Sequence, residues 1–222
     1  MSGDYYTAVE RTSPAGRAEF VLMIADVAGK GMAAALLTAT LEALTAGLIE
    51  TGLPPDEICT RVSHRLHRRT PAEKFATAIV AILDPEHRSV AFANAGHNPA
   101  LLVRASGAVE TLASTGMPLG MVSDRPYQRG EVHLHPGDTL LLYTDGYTEA
   151  AGPDGEEYGF DRLADTCHRH RDLPLADLHA ALETALEGFL QGTPCGDDRT
   201  LLMLRVDDVA STSHSDTVAP KQ

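Results

Sequence analysis

Between Phe75 and Leu112 the chain reverses direction repeatedly, within spans too short to hold a helix. Phe75–Leu83 is an apolar run, and Asp84-Pro85-Glu86-His87 turns it into Ser89–Ala93. Asn94-Ala95-Gly96-His97-Asn98-Pro99 turns again into Ala100–Arg104, and Ser106-Gly107 leads to Val109–Leu112. Parallel strands need crossovers of about a dozen residues or more, so strands joined this tightly pair antiparallel. Glu131–Leu134 and Thr139–Thr144 flank a further turn, Pro136-Gly137-Asp138. Phe20–Ala25 and Leu201–Val206 add strands at either end.

Helical patterns cluster before and after this block. Met32–Ile49 is rich in Ala and Leu, with Leu36, Leu37, Leu41, Leu44 and Leu48 near helical spacing. Pro54-Pro55-Asp56-Glu57 opens a second helix to about Arg69, apolar at Ile58, Val62 and Leu66 and basic at Arg61, Arg65, Arg68 and Arg69. Asp161–His170 and Leu175–Leu190 are also helical. Segregated helices and strands predict an α+β layered fold, not alternating βαβ units. No repeat or linker divides the chain, and residues 207–222 read as a polar, disordered tail.

The 222 residues carry 18 Lys+Arg against 31 Asp+Glu, a net charge of −13. Such a surface repels phosphate backbones, which argues against a nucleic-acid or anionic-membrane partner. No run approaches the ~18–20 apolar residues of a membrane span. The N-terminus lacks the basic-then-apolar pattern of a signal peptide. Cys59, Cys167 and Cys195 are scattered, without zinc spacing or the makings of a disulfide framework. A cytoplasmic enzyme or binding domain is the expectation.

Carboxylates stand at the ends of apolar strands. Asp26 follows Met23-Ile24-Ala25, Asp145 follows Leu141-Leu142-Tyr143-Thr144, Asp197-Asp198 precedes Leu201, and Asp4 precedes Tyr5-Tyr6. Each has a glycine nearby: Gly3, Gly29, Gly146 or Gly196. A single aspartate after a strand commonly forms a turn or caps a helix. Several converging carboxylates, however, cannot all ionise without cations. An all-oxygen set suits Mg²⁺ or Mn²⁺ better than zinc. Two such ions ~3.5–4 Å apart can activate water for in-line attack on phosphorus.

Seven motifs occur in order: Gly3-Asp4-Tyr5-Tyr6; Ile24-Ala25-Asp26-Val27-Ala28-Gly29-Lys30-Gly31 with Ala33-Ala34-Ala35-Leu36; Phe75-Ala76-Thr77-Ala78; Asn94 to Pro99; Gly116-Met117-Pro118-Leu119-Gly120; Tyr143 to Ala150; and Asp197-Asp198-Arg199-Thr200. From Gly3 to about Val206 the chain resembles the sporulation and stress-regulator (SpoIIE-like) branch of the bacterial metal-dependent protein phosphatases, PPM or type-2C-like. The resemblance implies a four-layer α-β-β-α sandwich, two stacked antiparallel sheets flanked by helices, with metals in a cleft at one end. It implies hydrolysis of phosphoserine or phosphothreonine by metal-activated water, on a phosphorylated regulatory protein of the anti-anti-sigma type.

Carried over motif by motif, Asp26 bridges two Mn²⁺ or Mg²⁺ ions and the Val27 carbonyl adds a ligand. Asp145 and Asp197 hold one ion, and Asp4 completes the set directly or through water. Asp198 and Glu149 stand behind these ligands. Asn94, Gly96 and His97 read mainly as turn geometry, and His97 as a leaving-group acid has no support in the sequence. Lys30 is placed to steer a phosphate, and the basic face at Arg61 to dock an acidic partner, although solvated charge is the commoner role of both.

Two departures stand out. Thr7 replaces an acidic residue expected in the first motif, and only Met1-Ser2 precede Gly3 where a lead-in strand is expected. The expectation is therefore a phosphatase domain over residues 3–206, trimmed from a longer chain. Asp4 would be weakly anchored, and a bare sheet edge would favour a homodimer. The alternatives are a silent phosphoprotein-binding pseudophosphatase and a small phosphate-ester hydrolase on the same fold.

Overall fold

The computed structural model describes residues 3–70, 74–123 and 125–207. Beyond Asp207, the expected tail lies outside the described residues. The elements run β1 (Asp4–Thr12), β2 (Ala18–Val27), α1 (Met32–Ile49), α2 (Pro55–His67), β3 (Ala76–Asp84), β4 (Ser89–Ala95), β5 (Ala100–Val103), β6 (Val109–Leu112), β7 (Gly130–His133), β8 (Thr139–Tyr143), α3 (Gly159–Arg169), α4 (Leu175–Leu190) and β9 (Leu201–Arg205). One sheet has the order β1-β2-β3-β4-β7 and the other β6-β5-β8-β9. Every neighbouring pair is antiparallel, as the short turns require.

Side chains on a strand alternate between faces, and here both faces are used. Val21, Met23 and Ala25 of β2 join Leu37 and Leu41 of α1 and Ile58, Val62 and Leu66 of α2 in one apolar seam. Ile24 of the same strand points the other way, into a seam with Ile79 of β3, Leu102 of β5 and Leu140 and Leu142 of β8. Leu101 and Leu141 then face Leu163 of α3 and Leu178, Leu182 and Leu186 of α4. Three apolar seams separate four layers, which makes the fold the α-β-β-α sandwich.

Helix α1 corrects one sequence expectation. It has 18 residues and a mean hydropathy of 1.7, long and apolar enough by length and composition to cross a membrane. In the fold it covers the first sheet, burying Ala34, Leu37, Leu41, Leu48 and Ile49.

The N-terminal strand corrects another. Over its nine residues β1 pairs with β2, from Asp4 opposite Asp26 to Thr12 opposite Ala18. Arg11 ties it to the α1–α2 connection, donating to the carbonyls of Ile49 and Leu53 and pairing with Glu19 at 2.8 Å. It is an edge strand, with Tyr6 and Val9 exposed, but not a loosely held one.

Candidate metal centre

The register of each sheet delivers two carboxylates to the same end of the sandwich. In the first sheet Asp4 opens β1 directly opposite Asp26, which lies near the end of β2. Gly3 is required there. A Cβ at that position would lie 2.8 Å from both Asp26 Oδ1 and the Val27 carbonyl oxygen. The Val27 N–H donates to the Gly3 carbonyl, so the backbone on both sides of Asp26 is fixed.

In the second sheet Tyr143 pairs with Leu201, so the turn after β8 and the turn before β9 lie side by side. The first carries Asp145 on a single 3₁₀ turn, Asp145–Tyr147, and the second carries Asp197 and Asp198. Their backbones touch. A Cβ on Gly146 would fall 2.0 Å from the Asp198 carbonyl oxygen. The Thr144 N–H donates to the Thr200 carbonyl, and the Thr200 N–H donates to Thr144 Oγ1, each at 3.0 Å.

The two threonines also join the sheets. Thr144 Oγ1 and Thr200 Oγ1 both donate to Asp4 Oδ2, at 3.0 and 2.6 Å. Asp4 is thus held firmly, contrary to the expectation from its place near the start of the chain. Sequence reasoning missed Thr144 and Thr200. The only signal for them was their position beside Asp145 and within Asp197-Asp198-Arg199-Thr200.

Electrostatics shows what this geometry costs. Burial, then the charges of Asp145, Asp4 and Asp197, push the Asp26 carboxyl up to about 6. Asp145 is raised by burial and by Asp197. Asp4 is raised by burial against the pull of Thr200 and Thr144, with Asp145 and Asp198 adding to the rise. Glu149 is raised by burial and by Asp145 among others. Lys30 reaches the set from the β2–α1 turn, with Nζ 3.2 Å from Asp197 Oδ2 and a hydrogen bond to the Gly196 carbonyl.

The structure therefore brings together Asp4, Asp26, Asp145 and Asp197, with the Val27 backbone beside them. Asp198 acts on Asp4 and Asp197 on Asp26, so the pair serves both sides of the cluster. Glu149 borders a cavity of about 170 Å³ with Asp145, Cys195, Gly196 and Asp197.

This donor set fits hard divalent cations. It is all oxygen, carries mutual repulsion, and is joined by the protein's own Lys30 at its exposed side. Among the described residues, three ligand atoms lie within 4.8 Å of one another at Asp84, Glu86 and His87 instead. That turn is explained by its own bonds, since Asp84 Oδ1 accepts from the N–H groups of Glu86 and His87. The strand-end carboxylates do not form so tight a group among the described residues.

His97 does not join the cluster. It is buried, and burial holds its imidazole down at about 4, so it is neutral. Its Nε2 faces the Tyr143 carbonyl, which can only accept, so Nε2 donates there and Nδ1 accepts from the Thr77 hydroxyl. Asn94 Oδ1 accepts from the His97 N–H. Asn94 thus fixes the turn, as its motif suggested, and His97 also ties the two sheets together. The basic face of α2 borders a separate cavity of about 430 Å³, lined by Arg61, His64, Arg65 and Arg125, which shares no residue with the carboxylate cavity.

Two antiparallel sheets sandwiched by helices, with carboxylates meeting at one end, are the architecture of PP2C-type phosphatase domains. The SiaA-PP2C domain of Pseudomonas aeruginosa matches with a TM-score of 0.81 and 28% identity, over 93% of this chain and 81% of that one. The RsbU and RsbW domains of Rv1364c from Mycobacterium tuberculosis match at 0.76 and 30% identity, over 92% of this chain and 55% of that one.

Within that class, the family described as Stage II sporulation protein E (SpoIIE) matches residues 16–207, and the chain belongs to it. Phosphoserine phosphatase RsbP of Bacillus subtilis is 31% identical over 210 residues, 93% of this chain and 49% of the relative. Phosphoserine phosphatase RsbU of the same organism is 30% identical, over 92% of this chain and 59% of the relative. The chain thus spans 49% and 59% of the length of these two relatives.

Proposed function

We propose that residues 3–206 form a metal-dependent protein serine/threonine phosphatase domain acting on a phosphorylated regulatory protein of the anti-anti-sigma type. The observation that carries this reading is the meeting of Asp4, Asp26, Asp145 and Asp197 from two sheets, each sheet supplying two. The resemblance to RsbP and RsbU supports the protein substrate.

Asp4, Asp26, Asp145 and Asp197 would hold two Mn²⁺ or Mg²⁺ ions with the Val27 carbonyl. When bound, such ions supply an activated water and Lewis-acid stabilisation of charge on phosphoryl oxygens. The chain's own residues prepare the place. Thr144 and Thr200 orient Asp4, and Asp26 faces both sheets' carboxylates. Lys30, three-quarters exposed, lends positive charge at the rim where a phosphate enters.

A cysteine nucleophile does not compete. Cys59 and Cys167 are buried, and burial pushes both thiols up to about 12. Cys195 Sγ donates to the carbonyl oxygens of Gly146 and Asp197.

The test is hydrolysis of a panel of purified phosphoserine proteins and of p-nitrophenyl phosphate, with and without Mn²⁺. The reading expects Mn²⁺-dependent release from a phosphoprotein at higher kcat/KM than from the ester. Turnover of the ester alone would favour a small-ester hydrolase, and no turnover with retained phosphoprotein binding a pseudophosphatase.

A further inference from the structure

The turns carrying Asp145 and Asp197 share a support on α4. Glu183 stands midway along that helix, next to Leu182, which is buried in the seam under the second sheet. Its Oε1 accepts a hydrogen bond from the Tyr147 hydroxyl at 2.6 Å. Its Oε2 forms an ion pair with Arg199 Nη1 at 3.3 Å. Tyr147 lies two residues after Asp145, and Arg199 two residues after Asp197.

Both partners depend on this carboxylate. Tyr147 is 2% exposed, and burial and the adjacent Glu183 push its phenol up, so it remains a donor. Arg199 Nη1 is a buried atom without a hydrogen bond, so the ion pair is what answers its charge. Removing the carboxylate leaves the buried Tyr147 hydroxyl without its acceptor and the partly exposed Arg199 without its counter-ion.

We propose that Glu183 is a positioning residue for the metal centre. By holding Tyr147 with one oxygen and Arg199 with the other, it fixes the spacing between Asp145 and Asp197, and with it the affinity for the ion those two share. The proposal rests on the metal-centre reading above. Glu183 itself touches neither metal nor substrate, and its effect passes through the two turns.

The experiment is calorimetric titration of Mn²⁺ into the full chain, its Glu183→Ala and Glu183→Gln variants, Tyr147→Phe, and the Glu183→Ala/Tyr147→Phe double variant. Amide hydrogen exchange of the metal-free proteins is read at Gly146, Tyr147 and Asp198. Glu183→Ala should weaken Mn²⁺ binding about tenfold, a coupling of ~1.4 kcal/mol. Glu183→Gln keeps an acceptor for Tyr147 and should fall between it and wild type. Tyr147→Phe should weaken binding in the same direction and add little to Glu183→Ala, since the Tyr147–Glu183 bond is already lost there. Exchange should quicken at the two turns and not in β2 or β3. Mn²⁺ affinity within twofold of wild type in Glu183→Ala, additive effects in the double variant, or quickening shared by the whole chain would overturn the proposal alone. Wild-type protein that binds no Mn²⁺ would overturn the metal-centre reading and this proposal with it.

Discussion

The Thr200 hydroxyl donates a 2.6 Å hydrogen bond to the Asp4 carboxylate, 196 positions away in the chain. The bond joins the first residue of one sheet to the turn that opens the last strand of the other. Thr144 donates to the same oxygen at 3.0 Å, so one atom of Asp4 registers the two sheets against each other at the metal centre.

Thr200→Val keeps the shape and removes this donor. A hydrogen bond to a charged group contributes ~1.5–3 kcal/mol. The variant should bind Mn²⁺ about tenfold more weakly than wild type by calorimetry. Thr200→Ser, which restores the hydroxyl, should recover most of the affinity. Equal affinity in Thr200→Val would mean that Thr144 alone suffices.

Gly146→Ala drives a methyl group into the Asp198 carbonyl, 2.0 Å from where the Cβ must stand. Two backbones must part, so a loss of ~2–4 kcal/mol in thermal or urea unfolding is expected, with Mn²⁺ binding impaired. Gly188→Ala is the contrast. It lies within α4 with open space at its Cβ, and should stabilise by ~0.5–1 kcal/mol.

The Asp138 carboxylate sets an acid limb of stability far from the metals. Burial alone would raise its proton affinity. The N–H groups of His135 and Ala105 and the Arg104 guanidinium outweigh that and hold it below the ordinary carboxylate value. A carboxyl lowered in the folded state contributes stability above its unfolded value, and that contribution is lost as pH falls through the folded value. Wild type should lose stability below about pH 4. Asp138→Asn should be less stable near neutrality and flatter with pH across that window, as read from urea midpoints.

How much of this was legible in the sequence depends on which residues acted locally. Met32–Ile49 was readable to the residue, because an Ala/Leu run between Gly31 and the Thr51-Gly52 stop has few alternatives. That Asp26, Asp145 and Asp197 would meet was readable because each stands near a strand end beside a glycine. β1 was not. Asp4–Thr12 is a partly exposed edge carrying Glu10 and Arg11, so it shows no sustained apolar alternation, and its pairing with β2 has to be seen in three dimensions. The roles of Thr144, Thr200 and Glu183 were invisible for a related reason. Their contacts join residues 16 to 196 positions apart, and nothing local distinguishes these side chains from solvated ones.

Asp26 places function and stability in opposition. In chelator its charge repels Asp145, Asp4 and Asp197, so Asp26→Asn should unfold at a higher temperature than wild type. Added Mn²⁺ should raise the wild-type midpoint by selective binding to the folded state and leave the variant nearly unmoved. A variant less stable than wild type in chelator would show that the Asp26 charge is compensated within the protein.

Asp26 and the metal dependence meet in one rate comparison. Hydrolysis of p-nitrophenyl phosphate is measured for wild type and Asp26→Asn, in saturating Mn²⁺ and in excess EDTA. The wild-type rate should vanish in EDTA and return with Mn²⁺, while Asp26→Asn should lose ~10²-fold or more in kcat even with Mn²⁺ saturating. Undiminished wild-type turnover in EDTA, or an Asp26→Asn rate equal to wild type, would contradict a phosphatase built on these carboxylates.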